Sequence, residues 1–212
     1  MFKIIKERKQ MNRRDSSKKE TRELILRAAR ALFAQKGMEE CTIRDIAKKA
    51  GVSPASVMVH FKSKTSLLEE ALNRDIQQTF GRLLTSMPES RALEDRLMHL
   101  FKGFLNLYNG NRDLYRALLR TTIFETAQET PRLTVQSEEF IRLVSGMIAE
   151  QKSCGIVRPE VDPEVAASSI FFLYIGALIM MFRTPEATME QVVDFLSRLI
   201  RDYIDGIIRS GQ

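Results

Sequence analysis

The stretch that most constrains this chain lies between Thr42 and Phe61, where helix starts and a helix stop follow one another without a spacer. Thr42 precedes Ile43–Ala50, and Asp45 stands at the spacing where a threonine hydroxyl and a carboxylate satisfy each other's free amides. Gly51 tolerates the left-handed backbone that ends a helix. After Val52, Ser53 is a good N-cap, and Pro54 suits the first helical position, where no amide partner is lost. A helix over Pro54 to about Phe61 follows. Two short helices joined by Gly51-Val52-Ser53 make a helix-turn-helix.

Helical spacing continues on both sides. Ser17-Lys18-Lys19-Glu20 reads as a capping box, and Leu24, Ile25, Ala28, Ala29, Leu32 and Phe33 recur until Gly37 supplies a stop. Another helix begins near Ser63 and runs through Leu67, Leu68, Ala71 and Leu72. Residues 1–16 are basic and polar without a sustained period, which predicts a flexible basic arm. Residues 17–75 then form the helix-turn-helix domain, and 76–212 a second domain.

Charge follows the same division. The 212 residues carry a formal +6, yet residues 1–75 hold 18 basic and 10 acidic side chains, a net +8. Residues 76–212 are at −2. The excess thus sits with the helix-turn-helix, as if that part met a polyanion. Helix N-termini at Thr42 and Ser53 favour phosphate, and the small Ala55 and Ser56 let the third helix sit deep in a major groove. Capped helices of a small bundle would show the same starts, so DNA binding and plain structure both stand at this point.

The run from Thr21 to Ala29, then Leu32-Phe33-Ala34-Gln35-Lys36-Gly37, then Thr42 to Ser53, closing with His60-Phe61-Lys62-Ser63-Lys64, resembles the DNA-binding domain of the TetR/AcrR family of transcriptional regulators. The resemblance covers residues 21 to about 72. It implies that Thr42 and Arg44 open the helix that steadies the reader. Ser53, Pro54, Ala55 and Ser56 would begin the recognition helix, with Val59 and His60 at its end. Lys64 would cap the following helix against the phosphate backbone. One departure stands out: Met58 occupies a position where the family usually has an aromatic, most often tyrosine, whose hydroxyl can donate to phosphate.

The second domain reads as amphipathic helices throughout, so the fold class is all-α: an N-terminal three-helix helix-turn-helix domain followed by a larger helical domain. Stripes run from Leu93 to Tyr108, from Leu114 to Phe124 and from Val135 to Ile148. Val165 to Phe182 then carries no charge over 18 residues. That span is near the lower limit for a membrane helix. A membrane-associated protein anchored by residues 165–182 is therefore the alternative to a buried helix in a soluble one.

On a helical wheel Ala166, Ser169, Leu173, Gly176, Ala177 and Met180 share a small face, opposite a bulky face with Phe171, Phe172, Ile175, Leu178, Ile179 and Phe182. The last helix, about Met189 to Arg209, has an apolar arc wider than one core contact needs. The small face, with Val192, Leu196, Leu199 and Tyr203, predicts a homodimer interface; a thicker monomeric core is the other reading. Two-fold symmetry suits a palindromic operator in double-stranded DNA.

The family resemblance further implies a small inducer inside the second domain. Phe101, Phe104, Tyr108, Phe124, Met147, Phe172 and Tyr174 are the candidate pocket residues, and the scarcity of buried charge points to a hydrophobic or amphipathic ligand. Plain core packing accounts for the same residues.

No zinc spacing, phosphate loop or nucleophile motif occurs, so no enzyme, metal site or cofactor is expected. His99 reads as a structural histidine, whereas His60 reads as a phosphate contact. Cys41 and Cys154 are too few and too far apart for a disulfide framework. The first residues show no apolar run of secretory type, which predicts a cytoplasmic protein.

Overall fold

A computed structural model describes residues 2–90, 92–128 and 130–208, with side chains from Ser16 onward. The described residues form nine helices: α1 (Phe2–Glu40), α2 (Ile43–Ala50), α3 (Pro54–His60), α4 (Lys64–Thr85), α5 (Leu93–Asn109), α6 (Arg112–Phe124), α7 (Pro131–Ser153), α8 (Pro163–Arg183) and α9 (Met189–Ile207). The all-α fold class is thus observed. Among the described residues the extended pairing is an isolated bridge between Val157 and Ile208.

The chain divides into two compact units, Met1–Arg74 with Asp113–Thr130, and Asp75–Arg112 with Pro131–Gln212. The division falls inside α4, and Asp113–Thr130, which lies in the expected 76–212 domain, clusters with the first unit. Within that unit Arg120 of α6 pairs with Glu39 of α1.

The first unit has its core where α1, α2, α3 and α4 turn apolar faces inward. Ile25, Ala29 and Phe33 of α1 meet Ile46 and Ala47 of α2, Val57 of α3, and Leu67, Leu68 and Leu72 of α4, all fully buried. The capping box expected at Ser17 is a correction: α1 begins upstream, so Ser17 lies inside it, and its carbonyl accepts from Thr21 Oγ1 at 2.9 Å. The expected stop at Gly37 appears as an interruption, φ 78° and ψ 167°, after which the helix resumes to Glu40. A positive φ of this kind favours glycine. Residues 2–16, expected as a flexible basic arm, instead form the first part of α1.

In the second unit α8 packs between α7 and α9, and α5 packs on α7 and α9. Asp162 caps α8 through the amides of Glu164 and Val165, and Thr188 with Gln191 forms a capping box on α9. Arg112 fastens the other end of α8, donating to the carbonyls of Met181 and Pro185. By length and composition α8 is apolar enough to cross a membrane, but Ala166, Ala167, Ile170, Tyr174, Ala177 and Leu178 are buried within the unit.

Candidate nucleic-acid interface

The local sequence builds α2 and α3 as expected. Thr42 Oγ1 accepts from the Asp45 amide at 3.1 Å, and Asp45 Oδ2 accepts from the Thr42 amide at 2.9 Å. The same carboxylate oxygen accepts from Thr42 Oγ1 at 2.8 Å and from Lys36 Nζ at 2.8 Å. The Lys36 bond, followed by those from Thr42, holds the Asp45 carboxyl well below the usual carboxylate range. Lys36 is raised in return, chiefly by its bond to Asp45. Gly51 closes α2 with φ 70°, and its amide reaches the carbonyls of Ala47 and Lys48. Ser53 Oγ accepts from the Ser56 amide at 3.1 Å and opens α3.

Helix α3 then divides cleanly. Val57 is buried, while Pro54, Ala55, Met58 and Val59 face outward, Val59 with 78% exposure. Its C-terminus is held from α1. Arg22 donates Nη1 to the His60 carbonyl at 2.7 Å, while Nε and Nη2 grip the two carboxylate oxygens of Glu70 on α4. The guanidinium also sits 4.4 Å from the Phe61 ring centroid, close enough for a cation–π contact. One side chain therefore ties α1, α3 and α4 together.

A family model described as bacterial regulatory proteins, tetR family, matches residues 25–71, the span of this helix-turn-helix. The HTH-type transcriptional repressor KstR2 of Rhodococcus jostii is 30% identical over 157 residues, 71% of this chain and 74% of that protein. This chain belongs to the TetR family of transcriptional regulators. A second relative in sequence, the uncharacterized HTH-type transcriptional regulator YuxN of Bacillus subtilis, is 39% identical over 198 residues, 89% of this chain and 65% of that protein. In structure the chain is similar to Thermus thermophilus FadR, a TetR family transcriptional repressor solved in complex with lauroyl-CoA. The TM-score is 0.74 at 20% identity, covering 90% of this chain and 97% of that one, a likeness of fold.

As a TetR-family chain it presents most of the nominated DNA-facing residues to solvent. Thr42, Arg44, Ser53, Pro54, Ala55 and Val59 are exposed, while Ser56, His60 and Lys64 are half-buried. Lys64 is engaged by the protein itself: Nζ donates to the carbonyls of Cys41 at 3.2 Å and Glu39 at 3.4 Å, at the end of α1. The Thr42 hydroxyl is likewise engaged by the protein, donating to Asp45 Oδ2 and accepting from the Asp45 amide. Arg22 and Glu70 were not nominated from sequence, because nothing local links residues 48 positions apart. Cys41 is buried, and burial pushes its thiol up; Cys154 is exposed.

The burial of the pocket and dimer candidates corrects two sequence expectations, Phe124 belonging to the first unit and the other candidates to the second. Phe124 and Phe172 are 80% and 67% exposed and so do not line an interior pocket, whereas Phe101, Phe104, Met147 and Tyr174 are buried and Tyr108 is partly so. On α8 and α9, Ala166, Ala177, Val192 and Leu196, nominated for the dimer face, are buried in the unit's own core. Ser169, Leu173, Gly176, Met180, Leu199 and Tyr203 keep partial or full exposure. Phe172 and Ile179, on the bulky face of the wheel, are exposed, as is Phe195. Phe172, Leu173, Gly176, Ile179, Met180, Phe195 and Leu199 line one shallow groove across the two helices. His99 bonds through Nε2 with the Leu83 carbonyl at 3.0 Å and Ser86 Oγ at 3.2 Å.

Proposed function

We propose that this TetR-family regulator is a homodimeric, ligand-responsive repressor that binds a palindromic operator and is released by a small hydrophobic or amphipathic inducer. The observation that carries the reading is α3: capped at Ser53, anchored inward by Val57 and held at its C-terminus by Arg22, it turns Pro54, Ala55, Met58 and Val59 outward. Small side chains there allow the helix backbone close to base edges, while Arg44, Lys48 and Lys49 supply exposed positive charge for phosphate.

In this reading residues 17–75 contact DNA and residues 76–212 hold the ligand and the partner subunit. The exposed apolar groove of α8 and α9 supports a two-fold contact between copies, which would set two recognition helices about 34–36 Å apart. The amphipathic lauroyl-CoA in the Thermus thermophilus neighbour supports the ligand class. Ligand would act by binding one arrangement of the dimer more tightly than the DNA-competent one. The protein would work in the cytoplasm, with α8 as a core and interface helix rather than a membrane anchor.

A mobility-shift titration on the DNA upstream of the protein's own gene tests the reading. Saturable, sequence-selective and salt-sensitive binding by a dimer is the expected result. Binding that does not distinguish this DNA from unrelated duplex in any ligand state would overturn it.

A further inference from the structure

Helix α1 starts well before the core it helps to form. It begins at Phe2, yet with side chains described from Ser16 on, its first buried residue is Ile25, and Ser16 to Glu20 are all exposed. At about 1.5 Å per residue, residues 2–20 make roughly 28 Å of helix before the packed part is reached. Residues 2–16 hold six basic and two acidic side chains, a net +4, which is half of the excess carried by residues 1–75.

Once the segment is helical, four of those charges line up. Lys3, Lys6, Lys9 and Arg13 follow one another at three, three and four positions, so they form one row on the helix. Glu7 stands at its edge, four positions from Lys3, and Asp15 falls on the far side. Like charges at such spacings repel, and a helix of this length without a packed face is marginal by itself in water. A polyanion laid along the row removes that repulsion. The apolar residues do not suit a lipid surface: Ile4 and Met11 share one side, Phe2 and Ile5 another, and no apolar face results.

The root of this extension is fixed beside α3. Arg22 donates to the carbonyl of His60, the last residue of α3, at 2.7 Å. Lys18 and Lys19, one turn before Arg22, are exposed, and so is Lys62, just past α3. Positive charge thus runs from the end of α3 outward along α1.

We propose that the N-terminal turns of α1 are a second nucleic-acid contact, in which Lys3, Lys6, Lys9 and Arg13 track the sugar-phosphate backbone of duplex DNA flanking the site taken by α3. The contact is independent of sequence: it adds affinity and salt dependence and leaves base reading to α3. It extends the DNA-binding reading beyond residues 17–75 and rests on that reading.

The test compares the full-length protein with a glutamine variant, Lys3→Gln with Lys6→Gln, Lys9→Gln and Arg13→Gln, and an arginine variant, Lys3→Arg with Lys6→Arg and Lys9→Arg. Fluorescence anisotropy is read across a salt series on a duplex from upstream of the protein's own gene and on an unrelated duplex of equal length, with thermal melts alongside. The glutamine variant is expected to lower the slope of log affinity against log salt by about 3–4 per chain and to weaken both duplexes by one common factor, about tenfold or more at low salt. The arginine variant should match the parent, and all three should melt together. An unchanged slope, a loss confined to one duplex, an arginine variant as weak as the glutamine one, or a glutamine-variant melt lowered by several degrees would each overturn the proposal. So would vesicles of phosphatidylglycerol and phosphatidylcholine that bind the parent and not the glutamine variant while both bind DNA alike. If the parent binds the upstream duplex and the glutamine variant matches it, this inference alone fails. If the parent binds neither duplex, the DNA-binding reading fails with it.

Discussion

Gly103 of α5 abuts Leu83 of α4 so closely that a Cβ on the glycine would lie 2.3 Å from Leu83 Cδ2 and 2.6 Å from Cδ1. The neighbouring His99 bonds the carbonyl of the same leucine. The last turn of α4 is thus seated on α5 by a steric fit and a hydrogen bond at one residue. Gly103→Ala should lower stability by about 1–3 kcal/mol, because the Leu83 side chain must move aside. Adding Leu83→Ala should return part of that loss, which thermal melts of the single and double variants would read as strong non-additivity. Additive losses would count against a steric contact.

Arg22 supports α3, the proposed recognition helix, from α1. Arg22→Ala should cost about 2 kcal/mol of stability and weaken operator binding together, since it removes the grip on Glu70 and the contact with the His60 carbonyl. Arg22→Lys should recover little, because an ammonium lacks the planar fork that spans both partners. Denaturant melts and mobility shifts on the same preparations check the pairing of the two effects.

The outward face of α3 should separate binding from folding. Ala55→Glu places a charge among phosphates at an exposed position, so DNA binding should fall at least tenfold while the melting temperature stays within about a degree. Met58→Tyr restores a hydroxyl at a site with 47% exposure and should tighten binding severalfold, again with stability unchanged. A Met58→Tyr variant that binds no better would remove phosphate donation as the role of this position.

Phe172 and Phe195 lie in the groove proposed as the contact between copies. Phe172→Glu should shift sedimentation from dimer to monomer and reduce operator affinity by more than tenfold, while far-ultraviolet circular dichroism keeps its helical signal. A dimer that survives Phe172→Glu with Phe195→Glu would place the contact elsewhere.

Alkaline pH should unfold the second unit through its tyrosines. Tyr108 has its pKa raised by burial from 10.0 to about 12. In the unfolded chain it loses its proton near pH 10, whereas in the folded chain it keeps it. The stability tied to the neutral phenol is therefore complete below pH ~10 and is lost as pH rises towards ~12. Tyr108→Phe should lose less stability than the parent across that window. Tyrosinate absorbance should show a late step that this substitution diminishes.

The elements that sequence made legible are those whose determinants are local. Thr42 with Asp45, Gly51, and Ser53 with Pro54 act within one turn of each other, and each cap forms where its spacing says. Arg22 and Glu70 escaped notice for the opposite reason: they meet only once α1 and α4 are packed. Helix α8 shows a different limit. Its 18 uncharged residues offer no polar side to orient the wheel, so small size was taken as the mark of the partner-facing side. In the fold Ala166 and Ala177 are small because α8 lies close against its own neighbours, and Phe172 is left outside. Phe124 shows that an aromatic at helical spacing need not be core at all.

The grip of Arg22 also limits how this regulator can be switched. A recognition helix whose last carbonyl, following ring and neighbouring helix are all held by one guanidinium has no swing of its own. Tilting α3 alone would break three contacts at once, whereas carrying α1 to α4 along as a rigid body breaks none of them. On the ligand-responsive reading proposed above, a ligand would have to act on the reading head as a whole and leave its grip on α3 intact.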